Sequence, residues 1–148
     1  STNVRRRTYQ YAVGGGAKLT DTVAELKDAG IRVSLFIAPE PAQLEAAHDL
    51  DVPVVELHTG TYCDLTGEAR LTELEKVRAA AEIADRMGIE CHAGHGLTFE
   101  SVKLIAGIPN IRELNIGPFL IAEAIFTGLP DAIKEMKKLI RESRLTAS

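Results

Sequence analysis

From Ala17 onward, the apolar positions of this chain alternate between two periods. Leu19, Val23, Leu26 and Ala29 recur at helical spacing, and Gly30 stops that helix. Ile31–Ile37, IRVSLFI, then reads as a strand rich in β-branched and aromatic residues. Pro39 and Pro41 open a helix over Ala42–Leu50, with Pro41 suited to its first turn. Val52–Thr59, VPVVELHT, is a second strand ending at Gly60. A polar loop leads to an amphipathic helix from about Leu71 to Met87, closed by Gly88. Ile89–Ala93 is the third strand, Ser101–Ala106 a short helix, and Ile111–Ile116, IRELNI, the fourth strand. Helices near Phe119–Thr127 and Asp131–Ser143, broken at Gly128-Leu129-Pro130, finish the pattern.

Four consecutive strand-then-helix units behind one helix predict an α/β fold: a parallel sheet with right-handed crossovers. The units suit a small open sheet or one half of a TIM barrel. A complete barrel takes about 250 residues, more than the 148 present. Residues 1–16 stand apart. Ser1–Val13 shows neither period, and Gly14-Gly15-Gly16 is a break without the spacing of a phosphate loop. Arg5-Arg6-Arg7 reads as a solvated tail. The expectation is an irregular leader over 1–16 and one (β/α) unit over 17–148.

Charge and composition narrow the partners. A net charge of −4 and a pI of about 5.6 exclude a general binder of nucleic acid or membrane surface. No apolar run approaches the roughly 18–20 residues of a membrane span. No signal peptide opens the chain, so the expected location is cytoplasmic. Cys63 and Cys91 form no CxxC pair, and reduced thiols are expected.

The candidate chemistry lies where parallel α/β folds keep it, at the C-terminal ends of strands: Glu56, His58, His95 and Asn115. In Glu90–Phe99, ECHAGHGLTF, His95 stands between Gly94 and Gly96, whose freedom permits a turn and a close ligand approach. Thr98 is a candidate N-cap for a helix starting near Glu100. An imidazole there, beside free backbone N–H groups, suits proton transfer on an anionic substrate; the alternative is a turn whose histidine faces water. Glu56 and His58, two apart on a strand, share a face and are either functional or a structural hydrogen-bonded pair. His92, His95 and Cys91 do not match a zinc spacing, so no metal site is expected. His48, on a helix, reads as a surface residue. Asn115-Ile116-Gly117 is a strand end meeting a helix N-terminus, open to phosphate binding or to a simple turn.

Several longer stretches carry a resemblance. VSLFI at Val33–Ile37, VELHTGTY at Val55–Tyr62, AGHGLT at Ala93–Thr98 and ELNIG at Glu113–Gly117 occur in the order and spacing of pyridoxine 5'-phosphate synthase. The closing IAEAIFTGLPDAIKEMKKLI is similar to that family's last helices. The resemblance runs from about Ala17 to Arg144 and implies the second half of a (β/α)8 barrel. It implies condensation of 3-amino-2-oxopropyl phosphate with 1-deoxy-D-xylulose 5-phosphate to pyridoxine 5'-phosphate. It further implies a homo-octamer that uses no metal or organic cofactor.

Residue by residue, the resemblance makes His95 the proton donor and Glu56 the carboxylate that stabilises the transition state. Gly96 matches a position that binds the amino-oxopropyl phosphate. Gly117 matches the first residue of a Gly-His pair holding the same phosphate, but Pro118 replaces the histidine and removes an imidazole and a backbone donor. Ala122 stands where the family pattern leads us to expect glycine. The family's first half, with its histidine and glutamate proton acceptors, finds no match. RRRTYQYA at Arg5–Ala12 does not resemble the acidic, glycine-rich stretch expected there.

The resulting expectation is a truncated synthase-like chain, weakly active or inactive alone. It would associate with itself or pair with a first-half chain. The alternative is a non-catalytic remnant that binds a phosphorylated small molecule or pairs with another barrel chain.

Overall fold

Five parallel strands form one sheet in the computed structural model, which describes residues 6–10 and 16–146. The strands are β1 (Arg6–Gln10), β2 (Arg32–Ile37), β3 (Val54–His58), β4 (Glu90–Gly94) and β5 (Ile111–Asn115). Between and after them run α1 (Gly16–Asp28), α2 (Pro41–Asp49), α3 (Gly60–Asp64), α4 (Gly67–Arg86) and α5 (Val102–Ala106). The terminal helices are α6 (Pro118–Thr127) and α7 (Leu129–Thr146).

Spatial order equals sequence order, β1-β2-β3-β4-β5, and every neighbouring pair is parallel. A doubly wound sheet reverses its strand order and so places helices on both faces. An unreversed order with right-handed crossovers sends all connecting helices to one face, as in the wall of a (β/α)8 barrel. Among the described residues, the outer edges of β1 and β5 have no partner strand.

The sheet's two faces differ in chemistry. Val33, Leu35 and Ile37 of β2, Val55 and Leu57 of β3, and Cys91 and Ala93 of β4 join one buried cluster. Leu44 and Ala47 of α2 and Leu74, Val77 and Ala81 of α4 complete it. Burial of each larger aliphatic side chain contributes about 1.5–3 kcal/mol. The alternate positions, including Phe36, Glu56, His58, Glu90 and His92, turn to the opposite, inner face.

The helices that lead into β2, β3 and β4 stop in the same way. Gly30, Asp51 and Gly88 adopt left-handed backbone, with φ of 71°, 51° and 72°. The following Ile31, Val52 and Ile89 N–H groups reach back to the carbonyls of Leu26, Ala47 and Ala84. These are Schellman closures, and each places a buried or half-buried apolar residue just before the next strand.

β5 carries an irregularity: Cys91 pairs with Ile111, but His92 pairs with Glu113. Arg112 is the extra residue of a β-bulge, which leaves Ile111 in the core and brings Glu113 level with His92.

Two expectations require correction. The stretch 1–16 is not irregular throughout, because Arg6–Gln10 forms β1 and pairs in register with Arg32–Phe36. The sheet therefore has five strands where four were expected. Thr8 and Tyr9 favour strand, and the otherwise open edge of β2 supplies the partner that this short run needs. The break at Gly14-Gly15, Arg5, and the side chains of Arg6 and Arg7 lie outside the described residues, although Gly16 already belongs to α1. The polar loop after Gly60 also contains a helix, α3.

Candidate active site

Three strand ends build the site. β3 delivers Glu56 and His58 on the inner face and runs through Thr59 into α3. β4 ends at Gly94, and the chain turns at His95 (φ 83°) and Gly96 (φ 78°). β5 delivers Asn115 and passes through Gly117 into α6, where Pro118 occupies the first turn. Proline is compatible with the fold there, since a first-turn N–H has no partner within the helix.

Glu56, His95, Gly96, Gly117 and Pro118 line one cavity of about 610 Å³. Phe36, Asn115 and Phe119 also line it, and Phe119 packs edge-on against Phe99 with ring centroids 4.9 Å apart. All five residues expected from sequence to form the site therefore share one cavity, though they lie on separate stretches.

A left-handed backbone at a non-glycine residue such as His95 persists only when the surroundings impose it. α3 supplies much of that restraint. The buried Thr59 hydroxyl lies 2.8 Å from the Gly94 carbonyl and 2.7 Å from the His95 carbonyl, and donates to one at a time. The Thr59 N–H donates to the Gly94 carbonyl at 2.9 Å. Tyr62 donates from its buried hydroxyl to the Ser101 carbonyl at 2.9 Å. Cys63 lies against the underside of the turn, where a Cβ on Gly96 would come within 3.1 Å of its own Cβ.

Thr98, expected as an N-cap, closes the next turn reciprocally. Its hydroxyl accepts the Ser101 N–H at 3.2 Å, while its own N–H donates to Ser101 Oγ at 2.8 Å. The helix proper begins at Val102.

Below the cavity, the inner face holds a charged chain. Arg32 donates to Glu90 at 2.6 Å, and the opposite Glu90 oxygen lies 2.7 Å from His92 Nε2. His92 is fully buried, and its Nδ1 lies 3.7 Å from Glu113. The Arg32 guanidinium, then the His92 imidazole, hold the Glu90 carboxyl at about 2, down from 4.5. A buried imidazole is tolerated here because carboxylates meet it on both sides.

Cys91 turns into the core on the other face, where burial pushes its thiol up to about 12. Cys91, His92 and His95 are therefore not brought together, and no group of three or more metal-type side chains could hold an ion among the described residues. His48 is exposed on α2, as expected.

Sequence reading missed the parts played by Thr59 and Phe36. Thr59 follows His58 directly and opens a short helix, a position from which a hydroxyl can reach the neighbouring strand end. Phe36 pairs in register with Glu56, so strand parity could have placed it on the inner face.

A parallel α/β wall with a carboxylate and imidazoles gathered at its C-terminal strand ends is the layout of a (β/α)8-barrel enzyme. The sequence profile described as "Pyridoxal phosphate biosynthesis protein PdxJ" matches residues 11–142, and the chain belongs to this family. Its match begins inside the stretch expected to be a leader.

The chain is 53% identical over 126 residues to the pyridoxine 5'-phosphate synthase of Rhodospirillum rubrum. It is 50% identical over 137 residues to that of Caulobacter sp. strain K31, and 49% over 131 residues to that of Ruegeria pomeroyi. These alignments take in 84%, 90% and 86% of this chain, but 51%, 55% and 53% of the relatives. The chain spans about half the length of the curated relatives it matches.

Proposed function

We propose that this chain carries the imidazole–carboxylate part of a pyridoxine 5'-phosphate synthase site, within a barrel-type unit over residues 17–148 that β1 extends at its edge. The reaction is the condensation of 3-amino-2-oxopropyl phosphate with 1-deoxy-D-xylulose 5-phosphate. His95 is the proton donor. Glu56, lining the same cavity, stabilises cationic, imine-like intermediates. Gly96 and the Gly117-Pro118 turn receive the phosphate of the amino-oxopropyl substrate, with first-turn N–H groups of α6 as donors.

The observation that carries this reading is the meeting of Glu56, His95, Gly96, Gly117 and Pro118 around one cavity. The family's histidine and glutamate proton acceptors have no assigned counterpart here, and among the described residues the five-stranded sheet is open at both edges. Little turnover is therefore expected from the chain alone. Self-association would cover the open edges, and a chain bearing the family's other half would also supply the acceptors and restore turnover. The proposed location is the cytoplasm; among the described residues no helix is long and apolar enough to cross a membrane.

The test is pyridoxine 5'-phosphate formation from both substrates, with and without such a partner chain, using His95→Ala as control. Product that disappears in the control supports the assignment. Equal product from His95→Ala removes His95 from the mechanism.

Pro118 favours a second reading, a non-catalytic chain that still binds a phosphorylated small molecule or pairs with another barrel chain. A large gain in phosphate-ligand affinity in Pro118→His would support it. Turnover by the unaltered chain would exclude it.

A further inference from the structure

We propose that His58 is a positioning residue for His95: a neutral imidazole, anchored by the Gly60 amide, against which the His95 ring is stacked and aimed into the cavity. The inference rests on the reading of His95 as proton donor and extends it to a residue that need not touch substrate.

Three contacts carry it. The two imidazoles lie with centroids 4.6 Å apart and planes 26° apart, an offset-stacking geometry. Phe36 flanks both rings, with its centroid 5.1 Å from His58 and 6.4 Å from His95. The Gly60 N–H donates to His58 Nδ1 at 3.2 Å, so Nδ1 is the bare acceptor and the ring proton sits on Nε2.

The fit of the rings depends on Gly60 itself. A Cβ there would overlap His58 Cε1 and come within 2.9 Å of His95 Cδ2, so the backbone of α3's first residue lies against both imidazoles. Burial, and secondarily the nearby His95, push the His58 imidazole below its usual value. Both effects favour the neutral ring that the Gly60 bond requires. His95 lacks a comparable anchor on its own ring among the described contacts: the restraints on it act through its carbonyl. The His58 ring, stacked nearest on it, therefore limits its side-chain rotation together with Phe36 and the Gly60 backbone.

The test uses ring-nitrogen and amide NMR on the full chain, whose four histidines can be assigned by single substitution. In the unaltered protein, His58 should show a bare Nδ1 and a protonated Nε2 at neutral pH, with a cross-peak between the two rings. His58→Asn offers an acceptor near the Nδ1 position but no ring. It should abolish the ring-current shift on His95 and leave the amide spectrum away from the site unchanged. His58→Phe keeps a ring and loses the acceptor. It should retain most of that shift while Gly60 amide exchange accelerates about fivefold, the loss of one neutral hydrogen bond.

His95 ring resonances unmoved in His58→Asn, or a His58 protonated on Nδ1, would overturn the proposal. Failure of the catalytic reading is separable. If His95→Ala leaves product formation unchanged while NMR of the unaltered protein shows the ring pair, the acid assignment falls and the stacking stands.

Discussion

On β3, Leu57 faces a dry layer of aliphatic side chains, whereas its neighbours Glu56 and His58 face the opposite way, and Glu56 borders an open cavity. The same division runs across β2 and β4, with Val33, Leu35, Cys91 and Ala93 on one side and Phe36, Glu90 and His92 on the other. The connecting helices all cover one face, so the aliphatic layer gathers there and the other face can hold charge. The outer face supplies the stability. The inner face carries the candidate site, and it tolerates charged groups because Arg32, Glu90 and His92 satisfy one another.

The comparison is tested most severely at Leu57. It is fully buried, and Leu57→Ala should cost about 2–5 kcal/mol in a denaturant titration, since the rigid outer layer cannot fill the cavity left behind. A cost under about 1 kcal/mol would mean that the outer face is not the stabilising one.

Gly94→Ala probes the crowded inner side. The added Cβ would overlap the Glu56 carboxylate and come within 2.9 Å of the Asn115 carbonyl oxygen. Overpacking should cost about 1–3 kcal/mol. Any phosphate-ligand binding by the cavity should fall with it, and undiminished binding would argue against Glu56 bordering the ligand.

Glu90 sharpens the contrast through pH. Its folded carboxyl is depressed from 4.5 to about 2, so its contribution is complete above about 4.5 and is lost as pH falls toward 2. Glu90 is partly exposed, and screening limits the contribution to about 1 kcal/mol. Unfolding titrations between pH 7 and 2 should show that loss in the unaltered chain and a shallower one in Glu90→Gln. Parallel curves would sever Glu90 from acid stability.

The smallest effect should come from α6, which fully buries none of its side chains and leaves Ile125 79% exposed. Ile125→Lys should change stability by no more than about 0.5 kcal/mol. A larger loss would reveal that the side chain is covered in solution.

How far the sequence revealed all this depended on the length of each signal. β2 to β5, α1, α2 and α4 were legible because their apolar residues repeat over enough positions to show a period. α4 starts at Gly67, earlier than expected, because its first turn contains no large apolar residue to mark it. α3, five residues long, is too short for a helical period to appear. β1 has no alternation of its own and is defined by its partner β2. Glu56, His95, Gly96, Gly117 and Pro118 were singled out from family-like stretches at strand ends, and their lining of one cavity follows from the parallel sheet, which brings such ends together. The stacking of His58 on His95 was not legible, because it depends on how closely Gly60 approaches both rings. His92 and His95 suggested a pair in sequence, but the left-handed turn at His95 separates them: one ring is sealed among carboxylates and the other opens to the cavity.

The bulge at Arg112 has a consequence for chain length. Strict alternation through IRELNI would set Ile111 and Glu113 on the same face. The pairing shift after Cys91 absorbs one surplus residue and lets each reach its proper side. Deleting Arg112 would restore simple alternation, with Ile111 still under the helices and Glu113 still beside His92. Deleting Glu113 would instead bring an arginine next to that imidazole. β5 is thus a strand in which the chain can shorten by one residue without exchanging its faces, a tolerance ordinarily confined to loops.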